Sequence, residues 1–324
     1  MLKFVIRRLL VSVPVIFVSS MLVFWLATQS GDPLAPLRQN PRISRATIAA
    51  RESQLHLREP IVQRYVGWIK GVVRGDLGVD VQGNPVWPQL WRAMKISLRL
   101  LVFTLILSVL LALAVGVFSA VRQYSVFDYS STFTSFLFYS LPVFWLGALL
   151  KEGGIRLNQS LGIRFIQTVG SGGGPDIKGF GNQLYSIAGS TVLPALSLII
   201  ISYAGYSRYV RASMLDTLGS DYVRTARAKG LRQRRVVLAH AMRNALIPVT
   251  TVVALDFGTV IAGAVVTETV FQWRGMGSLF LKAASNSDVY TIGAYLLVTA
   301  SFVVVFNLVA DVVYALLDPR IRLE

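Results

Sequence analysis

Few side chains among these 324 residues are suited to covalent chemistry. Cysteine is absent, which removes thiol nucleophiles, thiolate metal sites and disulfides at once. His56 and His240 stand far apart and share no ligand spacing, so a structural zinc site is not expected. The run Gly170-Ser171-Gly172-Gly173-Gly174-Pro175 has the glycine content of a phosphate cradle. It lacks the Lys-Ser/Thr pair and the strand-to-helix setting, so a flexible linker is the expectation. No G-x-x-x-x-G-K-S/T sequence occurs, and the chain is not expected to be an ATPase. What remains is polar groups in apolar company: Asp256, and Asn307 with Asp311 one helical turn apart. An ionised carboxylate inside an apolar run is costly unless it faces a water-filled passage or a partner group. Asp256 is therefore a candidate to meet a substrate amino group along a passage, or to hydrogen-bond at an interface between helices.

The most closely specified stretch is basic and runs from Arg208 to Asn244. It begins Ser207-Arg208-Tyr209-Val210-Arg211, passes Asp216 to Gly219, and reaches Ser220-Asp221-Tyr222-Val223-Arg224-Thr225-Ala226-Arg227-Ala228-Lys229-Gly230. Ser220 suits an N-cap, Asp221 the positive end of the helix dipole, and Lys229 with Gly230 the C-terminal end. The spacing predicts a short helix with Tyr222, Val223 and Ala226 on one face and Arg224, Arg227 and Lys229 elsewhere. A second helix is expected after Gly230, with Val236, Val237, Ala241 and Ala245 on one side and Arg232, Arg234, Arg235 and Arg243 around it. Pro248 would then open the next apolar run. One reading is a basic loop that sets topology and pairs with anionic lipid headgroups. The other is a knob that enters a partner's groove, because a cap, small alanines, a stop glycine and a second helix crowd into one loop.

Positioning these residues requires a bilayer. The chain is 54% hydrophobic and only 15% charged, too apolar for an ordinary soluble protein. Its formal charge of +16 lies beside and between apolar runs rather than in one basic domain; membrane lipid is an expected partner and nucleic acid is not. A hydrocarbon core of about 30 Å needs roughly 20 apolar residues in a helix. Six runs qualify: Leu9 to Thr28, Ile96 to Ala120, Tyr129 to Leu150, Ile187 to Tyr206, Leu246 to Thr267 and Tyr290 to Leu316. The expected fold class is an all-α integral membrane protein. The first run follows Lys3, Arg7 and Arg8, is longer than a signal-peptide core and lacks an A-x-A site, so a retained helix is expected. An even number of spans puts both termini on one side. Lys and Arg are densest in the terminal tails, Val121 to Asp128 and Arg208 to Asn244, which makes that side cytoplasmic.

Gln29 to Lys95 holds ten Lys or Arg residues and would lie outside, as long loops largely escape the charge rule. Within it Ser44 to Leu57 and Ile61 to Val73 read as short amphipathic helices, interrupted by Pro60 and closed by Gly75, in a small external lobe. The expected organisation is residues 1–28 for the N-terminus and first span, 29–95 for the lobe, 96–316 for a core containing the loop 208–245, and 317–324 for a cytoplasmic tail.

Tyr222-Val223-Arg224-Thr225-Ala226-Arg227-Ala228-Lys229-Gly230-Leu231, continuing to His240-Ala241-Met242-Arg243-Asn244-Ala245-Leu246-Ile247-Pro248, closely resembles the cytoplasmic loop of the dipeptide and oligopeptide ABC-importer permeases, in the branch of the first permease subunit. Asp76-Leu77-Gly78, Ser140-Leu141-Pro142 with Phe144, Glu268-Thr269-Val270-Phe271, and Asp311 through Tyr314 to Asp318-Pro319-Arg320 extend the resemblance over nearly the whole chain. It implies a type I importer permease fold in a bacterial cell membrane. Such a subunit pairs with a second, homologous permease and docks on two ABC ATPase subunits, while an extracytoplasmic substrate-binding protein delivers the cargo. The resemblance also implies that ATP and Mg are bound by the partner ATPases, with no cofactor in this subunit.

The same resemblance makes the knob a coupling helix, in which Ser220, Asp221, Tyr222, Arg224, Thr225, Ala226, Arg227, Ala228, Lys229, Gly230 and Leu231 form the ATPase interface. It favours helix–helix hydrogen bonding for Asn307 and Asp311, and leaves Asp256 open between the translocation path and the permease interface. Nickel chelates, glutathione and oligosaccharides are alternative cargoes to di- and oligopeptides. An ion-driven carrier using Asp256 and Asp311 as proton relays, or a receptor or scaffold, would be functions of another class. Two places depart from the pattern. Arg274 in Trp273-Arg274-Gly275-Met276-Gly277 stands where the family usually has proline, and Lys151-Glu152-Gly153-Gly154 where relatives stay apolar.

Overall fold

The computed structural model describes residues 2–162, 165–173 and 177–317. Every regular segment among them is helical, beside one isolated bridge between Val79 and Pro85. In chain order the helices are α1 (Leu2–Gln29), α2 (Ala35–Arg38), α3 (Arg45–Gln54), α4 (Ile61–Val73), α5 (Val86–Val121), α6 (Val126–Tyr139), α7 (Val143–Leu161), α8 (Phe180–Leu218), α9 (Asp221–Ala228), α10 (Gln233–Arg235), α11 (Met242–Val270), α12 (Met276–Ser285) and α13 (Val289–Leu317). A π-helical turn, Val236–Ala241, joins α10 to α11. The described residues form two units: Leu2–Ser97 with Arg274–Val304, and Leu98–Trp273 with residues 305–317.

The first unit is built on aromatic side chains. Phe24 of α1 is fully buried, with ring centroids 5.5 Å from Tyr65 and from Trp68 of α4 and 6.1 Å from Tyr290 of α13. Their polar tips are satisfied: Tyr65 Oη lies 2.8 Å from Ser20 Oγ, Trp68 Nε1 donates to the Leu77 carbonyl, and Tyr290 Oη donates to the Leu55 carbonyl. Ser44 caps α3 by accepting from Thr47 N at 3.1 Å, and Pro60 precedes α4. The tie between this region and residues 274–304 has no signal in the sequence. Besides Tyr290, it rests on Met276 N donating to Ser97 Oγ at 2.7 Å.

Asp80 and Asp288 sit in the same unit. Burial pushes the Asp80 carboxyl up, but hydrogen bonds from Gln89 Nε2 and from the Asn84 backbone and side chain hold it below the usual carboxylate range. Asp288 caps α13 by accepting from Thr291 N and Oγ1, yet burial, with the Asp80 charge added, holds its carboxyl above that range.

Among the described residues five helical stretches are long and apolar enough to cross a membrane: Ile6–Gln29, Val86–Val121, Phe180–Leu218, Gln233–Gly258 and Val289–Val313. The expected third span is instead α6 and α7, bent by 104° at Ser140-Leu141-Pro142. Pro142 offers no N–H and disfavours helical geometry at Leu141, so one helix stops and another starts. With the bent pair counted as one span, six result.

The fourth expected span continues past Tyr206 to Leu218; α8 has 39 residues, about 58 Å at 1.5 Å per residue, against a hydrocarbon core of about 30 Å. Arg208 and Arg211 are therefore helical rather than in a loop. Pro248, expected to open the next apolar run, lies inside α11, and the second helix of the basic stretch leads into α11 through the π turn. Asp318-Pro319-Arg320 falls outside the described residues.

Candidate functional site

The helix α9 forms as its residues predict, but its caps differ in detail. Ser220 has the extended backbone of an N-cap, while its hydroxyl donates back to the Thr217 carbonyl at 2.5 Å instead of accepting from the first turn of α9. At the other end Gly230 adopts φ +75°. Gly230 N donates to the Arg227 carbonyl at 2.9 Å and Leu231 N to the Ala226 carbonyl at 3.4 Å, the paired bonds of a Schellman ending that a glycine permits.

Two sides of α9 have different work. Val223 is 0% exposed and Ala226 6%, and both join an apolar cluster with Tyr206, Val210 and Met214 of α8 and Val236, Val237, Ala241 and Ala245 further on. Asp221, Tyr222, Arg224, Thr225, Arg227, Ala228, Lys229 and Gly230 are exposed; Ser220 and Leu231 are half-buried. Tyr222 thus leaves the face it was expected to share with Val223 and Ala226, and its hydroxyl accepts from Asn244 Nδ2 at 2.8 Å. Ala226 points into the protein's own core, so its small size serves the seat of the knob. Ala228 is the alanine on the open side. Arg232, Arg234, Arg235 and Arg243 are exposed as well, so the outward surface is strongly basic. Its acidic member, Asp221, pairs with Arg224 at 3.7 Å. Two exposed charges at that distance add little stability, which leaves this face free to serve recognition.

Arg208 and Arg211 do not belong to that surface. Arg208 lies over the rings of Tyr139 (4.2 Å) and Phe136 (4.7 Å) of α6. Arg211 grips Asp128, in the first turn of α6, through two hydrogen bonds. Ser213 Oγ donates to the Ala245 carbonyl at 2.8 Å, tying α8 to α11. The knob therefore stands on a braced base.

Asp256 has a partner inside the chain: Tyr206 Oη donates to its Oδ2 at 2.9 Å. One residue on, Phe257 stacks on Phe306 with centroids 3.5 Å apart, which sets α11 beside α13 where Asn307 follows. Asn307 and Asp311 are half-buried on α13. The two departures also find places. Lys151 lies within α7 and its Nζ donates to the Val270 carbonyl at 2.8 Å, at the end of α11 where helix carbonyls lack partners. Arg274 is exposed beside Trp273, which is wholly buried. The glycine run is seated rather than a free linker in its described part: a Cβ on Gly172 would stand 2.3 Å from the Ser186 carbonyl oxygen, and Gly170 N donates to the Phe271 carbonyl at 2.9 Å.

Residues 112–323 match the model of the binding-protein-dependent transport system inner membrane component, and residues 1–112 match the model of the N-terminal part of such membrane components. The chain belongs to this permease family. It is 37% identical over its whole length to the oligopeptide transport system permease protein OppB of Mycobacterium bovis, covering 100% of both chains. It is 37% identical to the oligopeptide transport system permease protein AppB of Bacillus subtilis (99% of this chain, 100% of the relative) and 35% identical to the dipeptide transport system permease protein DppB of Escherichia coli (99% of each). A crystal structure of an amino acid ABC transporter aligns at TM-score 0.47 with 13% identity, over 72% of this chain and 94% of that one. The permease is thus a multi-pass protein of the bacterial inner membrane with the all-α fold of the ABC-importer class.

Sequence reasoning missed three members of the permease's candidate site. Asp128 served only as a loop boundary, although Ser125-x-x-Asp128 is a cap signature, and Asp128 N does donate to Ser125 Oγ at 3.2 Å. Tyr206 entered only as the end of a span and Asn244 only within the family motif; neither pairing had a signal, since each acts on a residue far away in sequence.

Proposed function

We propose that this permease forms half of the translocation path of an ATP-driven importer for di- and oligopeptides. A second, homologous permease supplies the other half. Two ABC ATPase subunits seat the α9 knobs, and an extracytoplasmic binding protein delivers cargo on the side opposite α9. Both termini lie in the cytoplasm, on the side of the basic α8–α11 region. ATP and Mg belong to the ATPases; this chain holds no cofactor and works mechanically. Closure of the ATPase dimer on ATP draws the α9 knobs together and tilts the spans between inward-open and outward-open states.

The observation that carries the docking reading is the division of α9. Val223 and Ala226 are locked into the chain's own core, while Arg224, Arg227 and Lys229 are all exposed on its other side. A loop that only fixed topology needs the charges and has no use for such a seat. Peptide cargo is supported by the full-length similarity to relatives named for oligopeptides and dipeptides. For Asp256, the Tyr206 bond favours a helix–helix role over a proton relay.

The test is uptake of a labelled tripeptide into proteoliposomes holding both permeases, both ATPases and the binding protein. ATP-dependent uptake, suppressed by excess unlabelled di- and tripeptides and not by nickel chelates, glutathione or oligosaccharides, is the expected result. Uptake driven by an ion gradient without ATP would overturn the importer reading.

A further inference from the structure

The end of α6 nearest the knob is held at one carboxylate. Arg211 of α8 donates to Asp128 from Nε at 2.6 Å and from its terminal amino group at 2.8 Å, a two-point contact that sets orientation as well as distance. Ser119 Oγ of α5 donates to the same carboxylate, and Tyr124 N donates at 3.0 Å. Asp128 is only 2% exposed. Three helices, α5, α6 and α8, are thus pinned together at a site where every one of these bonds is accepted by the Asp128 carboxylate. Higher on the α6–α8 contact, Ser135 Oγ meets Ser207 Oγ at 3.0 Å and Arg208 covers the Phe136 and Tyr139 rings.

The same stretch of α8 carries the knob. Val210 and Met214 flank Arg211 in sequence and lie in the cluster that buries Val223 and Ala226 of α9. A displacement of α9 therefore reaches the end of α8 through close-packed side chains, which yield little. From there Arg211 leads to α6, and α6 leads to the 104° corner at Ser140-Leu141-Pro142.

We propose that the Asp128–Arg211 pair is the joint that makes the bent α6–α7 span follow the docking helix, with both side chains acting as positioning residues for transport. This rests on the reading of α9 as the ATPase-docking knob. Apolar helix faces slide past one another readily in shear motions. A doubly bonded ion pair whose carboxylate is buried does not, because parting it leaves an uncompensated charge at Asp128. The joint thus converts movement of α8 and α9 into movement of α6 rather than slip between them.

The test uses the complete complex in proteoliposomes and reads tripeptide transported per ATP hydrolysed. In the double variant Asp128→Asn with Arg211→Gln no charge is left unpaired. The complex is expected to keep its ATPases and to hydrolyse ATP, while transport per ATP falls about tenfold, the size of a typical coupling between sites. An unchanged ratio overturns the joint. So does a parallel fall of transport and hydrolysis in a complex that has assembled. If the double variant does not assemble, Arg211→Lys, which keeps the charge and loses the two-point contact, decides in the same way: a lowered ratio supports the joint and a wild-type ratio ends it. A separate arm, Arg227→Glu with Lys229→Glu, tests the docking reading alone. Wild-type coupling there removes that reading and the joint with it. Release of the ATPases there, with wild-type coupling in the pair variants, keeps the docking and rejects the joint.

Discussion

Arginine appears in two roles within four turns of chain, and burial decides which. Arg211 faces Asp128, a carboxylate almost wholly removed from solvent, whereas the Arg224 side chain is 72% exposed and pairs with a still more open Asp221. Removing the cation from the first pair strands a buried charge and is expected to cost about 3–5 kcal/mol. Arg224→Met is expected to stay within about 0.5 kcal/mol of wild type. Thermal unfolding of the purified permease in detergent checks both. Asp288 gives a prediction in pH. Its carboxyl is held above the ordinary range by burial beside Asp80, so it binds its proton more tightly folded than unfolded. That contribution to stability is present at low pH and is lost as pH rises through the folded value. Asp288→Asn keeps a good N-cap for α13 and removes the cost of ionising a buried carboxylate. The variant is expected to be more stable than wild type at pH 7 and no more stable at pH 4, as measured by melting temperature across that range. Asp80 has the opposite sign: its depressed value gives stability that is lost as pH falls below the carboxylate range.

For the element, the question is whether α9 works by its seat or by its surface, and substitutions on its two sides separate these. Val223→Asp places a carboxylate where the native residue is 0% exposed. It forfeits about 1.5–3 kcal/mol of apolar burial before the charge is counted, and the helix is expected to detach. Both ATPase co-purification and the permease's own melting temperature should fall. Arg227→Glu with Lys229→Glu changes only exposed groups, so co-purification is expected to fall with the melting temperature unchanged. Gly230→Ala lies between. Nothing stands within 4 Å of the position a Cβ would take, but φ is +75°, and a left-handed residue other than glycine costs roughly 1–2 kcal/mol. A modest drop in melting temperature with partial loss of ATPase binding is expected.

The fate of the bent pair fixes the topology of the whole molecule. If α6 and α7 together make one crossing, the six spans return the chain to its starting side. If they re-enter on one side, the five remaining spans place the termini on opposite sides. Reporters that are active only in the cytoplasm, fused at either end, are expected to be active at both. Activity at one end alone would assign α6 and α7 to a re-entrant loop.

Membrane residence, five of the six expected spans, the α9 helix and the family motifs were legible in the sequence because each depends on residues close together in the chain. Apolar length, cap residues and a stop glycine act within a turn or two of helix, where spacing is the physics. Only the tertiary structure decided which side of α9 is seat and which is surface, since Tyr222 leaves the face it was expected to share with Val223 and Ala226 once the cluster around Val236 and Ala241 forms. It alone brought Asp128 to Arg211 and Asp256 to Tyr206, pairs separated by 83 and 50 residues. It alone built residues 274–304 onto the aromatic lobe. A buried ion pair or a ring stack needs both partners at one point in space, where the low local dielectric strengthens the attraction between charges. No local pattern records which distant residue will arrive there.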